Sequence, residues 1–239
     1  MAIDIAHAAM RVPSFPVHRR MHLGDLEAAR RQSPLKMGWA ALLTSIYSQI
    51  SQDIPELRDI YVEKPFPYLY RHPHPVASIT IQRKDDRSSE RLVWGRLQNA
   101  QQQPLEKIQK EIAGFTTAPI DSFFRDGLAM ERRPRLLRKL TWWILMQWSG
   151  RRRAKHLGTF SLSSLGGWGA MNAHYPLVTT TGLSMGPIQS NGSCEVILLC
   201  DHRVLDGALA AEVLSLLENR LQGEVLAALN RMNEKQDAA

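Results

Sequence analysis

Cysteine is almost absent from this chain: its 239 residues include two. Cys194 and Cys200 sit in one apolar run with Val196-Ile197-Leu198-Leu199 between them, a run that reads as a strand. Six strand residues separate them by about 20 Å, beyond the reach of a disulfide. Both therefore read as thiols buried on one face, as a reducing compartment permits. No apolar run approaches the roughly 18 residues that cross a bilayer. Met1-Ala2-Ile3-Asp4 lacks the basic and then apolar stretches of a secretory signal. The expectation is a cytoplasmic protein, with association to a membrane left open. Internal repeats and Pro/Ser linkers are also missing, and 44% apolar with 22% charged residues is an ordinary globular balance. One domain over residues 1–229, with a flexible tail at 230–239, is the simplest organisation.

Acidic residues are scarce in one place. Between Glu131 and Lys155 nine Lys/Arg accompany a single acid, whereas the rest of the chain holds 21 basic and 22 acidic residues. The net +7 thus belongs to one segment. No recognisable nucleic-acid module accompanies it, so nucleic acid is not an expected partner.

The pattern of elements is mixed. Strands are expected over 17–23, 76–82, 91–97, 158–165, 182–188 and 194–200, with helices over 24–31, 105–115 and 208–229. Ser33-Pro34 reads as an N-cap with proline at the first helical position. The helix it opens ends before Pro55. Tyr70 to Pro75 reads as an extended loop, and Asn191-Gly192 as a type I′ hairpin turn. These elements imply an α/β domain.

The sharpest local feature is Asp201-His202-Arg203-Val204-Leu205-Asp206-Gly207, where a buried strand gives way to a helix. A histidine held at the end of a rigid element can serve as a general base near neutral pH. Asp206 could orient it, or could simply cap the helix. The segment resembles the H-x-x-x-D-G active-site motif of the dihydrolipoamide acyltransferases of 2-oxoacid dehydrogenase complexes, shared by chloramphenicol acetyltransferases. Gly158-Thr159-Phe160-Ser161-Leu162-Ser163-Ser164-Leu165-Gly166 resembles that family's G-T-F-T-I-S-x-L-G strand. Weaker similarity covers Val12 to Phe15, Ile54 to Leu57 and Arg91 to Gly95.

The resemblance implies a two-layer sandwich with a mixed sheet, chloramphenicol acetyltransferase-like. It also implies an acyltransferase acting between coenzyme A, or another thioester carrier, and a thiol, hydroxyl or amine. His202 would be the base, Asp206 the organiser and Ser163 the oxyanion donor, meeting across the subunit interface of a homotrimer. Coenzyme A would be a substrate, and no metal is implied. Two alternatives stand beside it. One is a dehydrogenase-complex core served by lipoyl modules in trans. The other is a non-catalytic trimeric scaffold.

The basic segment adds Leu136, Leu137, Leu140, Trp142, Trp143 and Trp148 to its cations. Across 132–153 it could be a core or trimer-contact helix, could dock on a membrane surface or an acidic carrier protein, or could guide the phosphates of coenzyme A. Gly182-Leu183-Ser184-Met185-Gly186 fits the spacing of a hydrolase nucleophile elbow, but no helix follows it, as that motif requires. His72 and His74 lack the further ligands a metal site needs.

Overall fold

The structure is a computed structural model that describes residues 2–84 and 90–237. Its centre is a six-stranded mixed sheet of β1 (Ser14–His22), β4 (Val76–Lys84), β5 (Glu90–Gln98), β6 (Phe160–Ser164), β7 (Thr181–Met185) and β8 (Ser193–Asp201). The strand order is β1-β8-β7-β6-β4-β5. β6 runs parallel to β4 and to β7, and the other neighbours are antiparallel. A separate two-stranded ribbon pairs β2 (Asp59–Val62) with β3 (Tyr68–Arg71).

Period-two alternation divides the main sheet into two faces. Ala77, Ile79, Phe160, Leu162, Leu183, Met185 and alternate residues of β8 from Cys194 to Cys200 point into the principal core. Over that face lie α2 (Gly24–Gln32), α3 (Trp39–Asp53), α4 (Leu105–Thr117) and α9 (Gly207–Arg220). In α3, Leu42, Leu43, Ile46, Tyr47 and Ile50 are buried, each large apolar side chain contributing roughly 1.5–3 kcal/mol. Both cysteines are buried there as free thiols, and burial pushes each up to about 12. They are neutral and unreactive at physiological pH.

The other face carries Ser78, Thr80, Trp94, Ser161, Ser163 and Leu199. Part of it is covered by α1 (Ala2–Ala9), α7 (Arg135–Gln147) and α8 (Gly150–Leu157). Trp142, Leu145 and Met146 of α7 form a second cluster with Leu157, Leu177 and Leu199. The basic segment is therefore a packed helix on one of its sides. Two short helices, α5 (Ile120–Phe123) and α6 (Arg125–Glu131), lead into it.

Several local expectations need correction. Ser33 does not open a helix but closes α2, its N–H bonded to Arg30 O at 3.2 Å. Lys36 then takes φ of 46°, a left-handed conformation that interrupts helix, so α3 begins only after Gly38. Tyr70 and Arg71 belong to β3, because β2 supplies a partner that local sequence cannot reveal. Asn191 is not left-handed. The only positive φ in that turn is at Gly192 (77°), whose N–H returns to Gln189 O at 2.9 Å, so the turn is not type I′. A β-carbon at Gly192 would come within 2.9 Å of Gly24 Cα, so this close approach also demands glycine. Past α9 the helix loosens into a π-turn at Leu221–Val225 and resumes as α10 (Leu226–Asp237). The polar stretch from Asn230, expected as a frayed tail, is helical as far as Asp237, and Asn233 donates to Ala29 O at 3.1 Å.

Candidate active site

At the end of β8 the residues on either side of His202 are tied down. The Asp201 carboxylate is 1% exposed and accepts Arg203 Nε at 2.8 Å and Nη2 at 2.6 Å. It also accepts the Arg203 backbone N–H at 3.1 Å. The Arg203 guanidinium lies over the Tyr61 ring at 4.5 Å. These bonds hold a tight turn with His202 exposed at its tip. The His202 N–H donates to Pro13 O at 2.9 Å, and its ring packs against Phe15 with centroids 4.6 Å apart.

The decisive contact is His202 Nδ1 to Leu205 O, 3.1 Å. A carbonyl oxygen can only accept, so Nδ1 carries the proton and Nε2 keeps its lone pair. Nε2 has no hydrogen-bond partner among the described residues. This is the tautomer a general base requires. Asp206 does not touch the ring. Its Oδ1 accepts Leu209 N–H at 2.9 Å as the N-cap of α9, at the end of the turn that carries His202.

Ser163 lies elsewhere. Phe160 is level with Thr181, and Thr181 with Cys200. From that level Ser163 is three residues along β6, while His202 is two residues past Cys200 in the opposite sense. With two strand spacings between them, their backbones are roughly 19 Å apart. They are also on opposite sides of the sheet, since Ser163 alternates with core-facing Leu162 and His202 packs on Phe15 beside the helical layer. Within one protomer they cannot cooperate on one reacting group. Ser163 instead lines a cavity of about 890 Å³ on the second face, with Ser161, Tyr175, Thr179, Trp94 and Trp168.

No family model matches this sequence, and no curated protein matches it. Solved structures do. A probable dihydrolipoamide acetyltransferase from Listeria monocytogenes is 16% identical, with 92% of this chain and 89% of that one aligned at a TM-score of 0.66. A truncated catalytic core of the 2-oxoacid dehydrogenase complex from Thermoplasma acidophilum is 18% identical over 92% of each chain, TM-score 0.63. The dihydrolipoamide acetyltransferase of Azotobacter vinelandii is 18% identical over 95% of this chain and 88% of that one, TM-score 0.65. The chain has the fold of these acyltransferase cores.

On the acyltransferase-core fold, several polar residues join the three named from the motifs. Ser161, beside Ser163, has its Oγ 3.2 Å from both Tyr175 Oη and Thr179 Oγ1. Burial pushes the Tyr175 phenol up to about 12, so it remains a neutral hydrogen-bonding group. Arg153, fully buried, donates to Val178 O and Tyr61 O. Burial lowers it to about 10, against the opposing pull of Asp201. It remains charged at neutral pH and holds backbone carbonyls instead of joining the outward basic patch. Ser14 precedes Phe15 on β1, and its Oγ lies 3.1 Å from His174 Nε2. Local spacing carried no signal for Tyr175, Thr179 or His174. The Asp201–Arg203 pair was not read from the motif either, although both of its residues stand in it.

Ser184, the centre of the elbow-like pattern, is buried inside β7 with no helix after it, so it is not presented to any substrate. His72 Nδ1 lies 3.2 Å from Tyr70 Oη, and among the described residues no group of three His, Cys, Asp or Glu could hold a metal ion.

Proposed function

We propose that this protein is an acyltransferase that moves an acyl group between coenzyme A, or another thioester carrier, and a thiol, hydroxyl or amine. The observation that carries this reading is the His202 ring, fixed at the end of β8 with Nδ1–H on Leu205 O and Nε2 available. His202 Nε2 takes the proton of the attacking group, which bonds to the acyl carbon as the carbonyl electrons move onto oxygen. Ser163 Oγ donates a hydrogen bond to that oxyanion, a contact whose loss costs about 3–4 kcal/mol at such sites. Collapse re-forms the carbonyl and breaks the thioester bond, and His202 returns the proton to the departing thiolate. No covalent enzyme intermediate is needed.

The separation of His202 from Ser163 within a protomer supports an assembled site. The base of one copy would face the serine of the next in a closed ring, as a homotrimer provides. In the Azotobacter vinelandii enzyme a serine, a histidine and an asparagine four residues beyond it have been investigated for their roles in catalysis. Ser163, His202 and Asp206 would take those places here, Asp206 with the same spacing from the histidine. Asp and Asn are equally good helix caps, so the difference fits a residue that acts through the backbone.

The test is thiol release from acyl-coenzyme A, with acylated lipoamide as a parallel donor. His202→Ala should lower turnover by at least a factor of 10², the low end for a lost general base, with the fold and oligomer intact. Undiminished turnover would refute the assignment. Turnover with acylated lipoamide alone would favour a dehydrogenase-complex core served in trans.

A further inference from the structure

Acyl transfer leaves the outward side of α7 unexplained. Leu136, Leu140 and Trp143 fall at i, i+4 and i+7 and form one stripe, 80%, 50% and 38% exposed, with Leu137 (52%) beside it. Trp148, 45% exposed just past the helix, packs edge-on against Trp143 at 5.9 Å. Residues so apolar and so exposed in one patch mark an interaction surface. The opposite side of the helix is already occupied by the second core cluster, so packing within the protomer does not account for the stripe.

Cations border it. Arg138 is drawn inward to Asp4, 3.2 Å away, and Arg133 donates to Thr141 Oγ1. Arg132, Arg135 and Lys139 are exposed, and their side chains have no hydrogen-bond or ion-pair partner among the described residues. Arg151 and Arg152 extend the charge beyond Trp148.

We propose that this face docks on an anionic lipid bilayer. Lys and Arg would lie on the phosphate headgroups, while Leu136, Leu140 and the two tryptophans would enter the headgroup–acyl boundary. Self-pairing of this face with a second copy of the chain is disfavoured: between Glu131 and Lys155 there is one acid against nine cations, so like charges would be set together. A contact with a different face of the next copy is read by the oligomeric state of the Ser variant below. An acidic protein would satisfy the cations but supplies no general reason for an all-apolar stripe tipped by tryptophan. No helix among the described residues is long and apolar enough to cross a membrane, so the attachment is peripheral.

The experiment is flotation of the full chain with vesicles of phosphatidylcholine alone and of phosphatidylcholine with one third phosphatidylglycerol. Binding is expected only to the anionic vesicles, with a blue shift of tryptophan emission and a decline as salt is raised. Arg132→Gln, Arg135→Gln and Lys139→Gln together should weaken it on the order of a hundredfold. Leu136→Ser with Leu140→Ser should weaken it at unchanged charge. All five positions are exposed, and melting curves check that the variants fold. Equal binding to both vesicle types, no binding to either, or unchanged binding by the Gln variant would overturn the proposal. So would loss of the oligomer in the Ser variant, or capture of an acidic carrier protein without vesicle binding. This side of α7 carries none of the residues assigned to acyl transfer, so turnover and vesicle binding can fail independently.

Discussion

At the scale of single residues, the Asp201 carboxylate shows how the turn is held. It is 1% exposed and takes two bonds from one guanidinium. Arg203→Ala would leave a buried charge with only the Arg203 backbone N–H and the more distant Arg153 for compensation. A loss of about 3 kcal/mol is expected, read from the urea midpoint. Because Arg203 flanks His202, turnover should fall as well. The resemblance of Asp201 to Gly207 to an acyltransferase motif made His202 legible as a candidate base, since the strand-to-helix spacing alone fits a plain corner capped by Asp206 as well. It did not say which nitrogen carries the proton. That depends on a carbonyl three residues later, which only the folded turn brings to 3.1 Å.

At the scale of elements, Asp206 illustrates two readings that converge. It is the cap of α9, and through that cap it sets the turn on which His202 rests. Asp206→Ala should cost about 1 kcal/mol of stability and lower kcat more than it raises KM. Asp206→Asn should restore both, since the amide oxygen caps equally well. A carboxylate acting by charge would leave the Asn variant impaired and would change its pH profile.

A second element-scale device joins α2 to the start of α3. Glu27 accepts Arg30, Arg31 and the indole N–H of Trp39, and the bonds from Arg30 foremost hold its carboxyl at about 2, below the ordinary 4.5. A depressed folded value means the stabilisation is complete above 4.5 and disappears as pH falls towards 2. After screening it amounts to about 1 kcal/mol. Glu27→Gln should therefore lower stability at pH 7 and remove part of the acid sensitivity in that window, as thermal melting against pH would record. Most elements were readable because their apolar periodicity matched what they bury. The β2–β3 ribbon and the π-turn were not, since the first depends on a partner strand and the second lies against α2 and α3, which are distant in sequence.

At the scale of the whole molecule, the sheet separates the two halves of the proposed site. If the base of one protomer serves the serine of another, His202→Ala and Ser163→Ala chains, each inactive alone, should complement when unfolded and reassembled together. Random mixing in a head-to-tail ring leaves about one quarter of the interfaces with both wild-type groups. Recovery near that fraction of wild-type turnover is expected, measured by thiol release. No recovery from mixed oligomers would refute a site shared between protomers.

The alternation that gives β6, β7 and β8 a core face and the local excess of cations were determined by sequence alone, because each is a property of spacing along the chain, and the candidates His202, Asp206 and Ser163 followed from the motifs that the chain resembles. What only the tertiary structure decided is how those properties are placed. The sheet order puts Ser163 and His202 on opposite faces. The packing of Trp142 against the second face turns Leu136 and Trp143 outward, and the burial of Arg153 removes one cation from the surface. Each depends on elements far apart in sequence reaching one another, and no local pattern encodes that encounter.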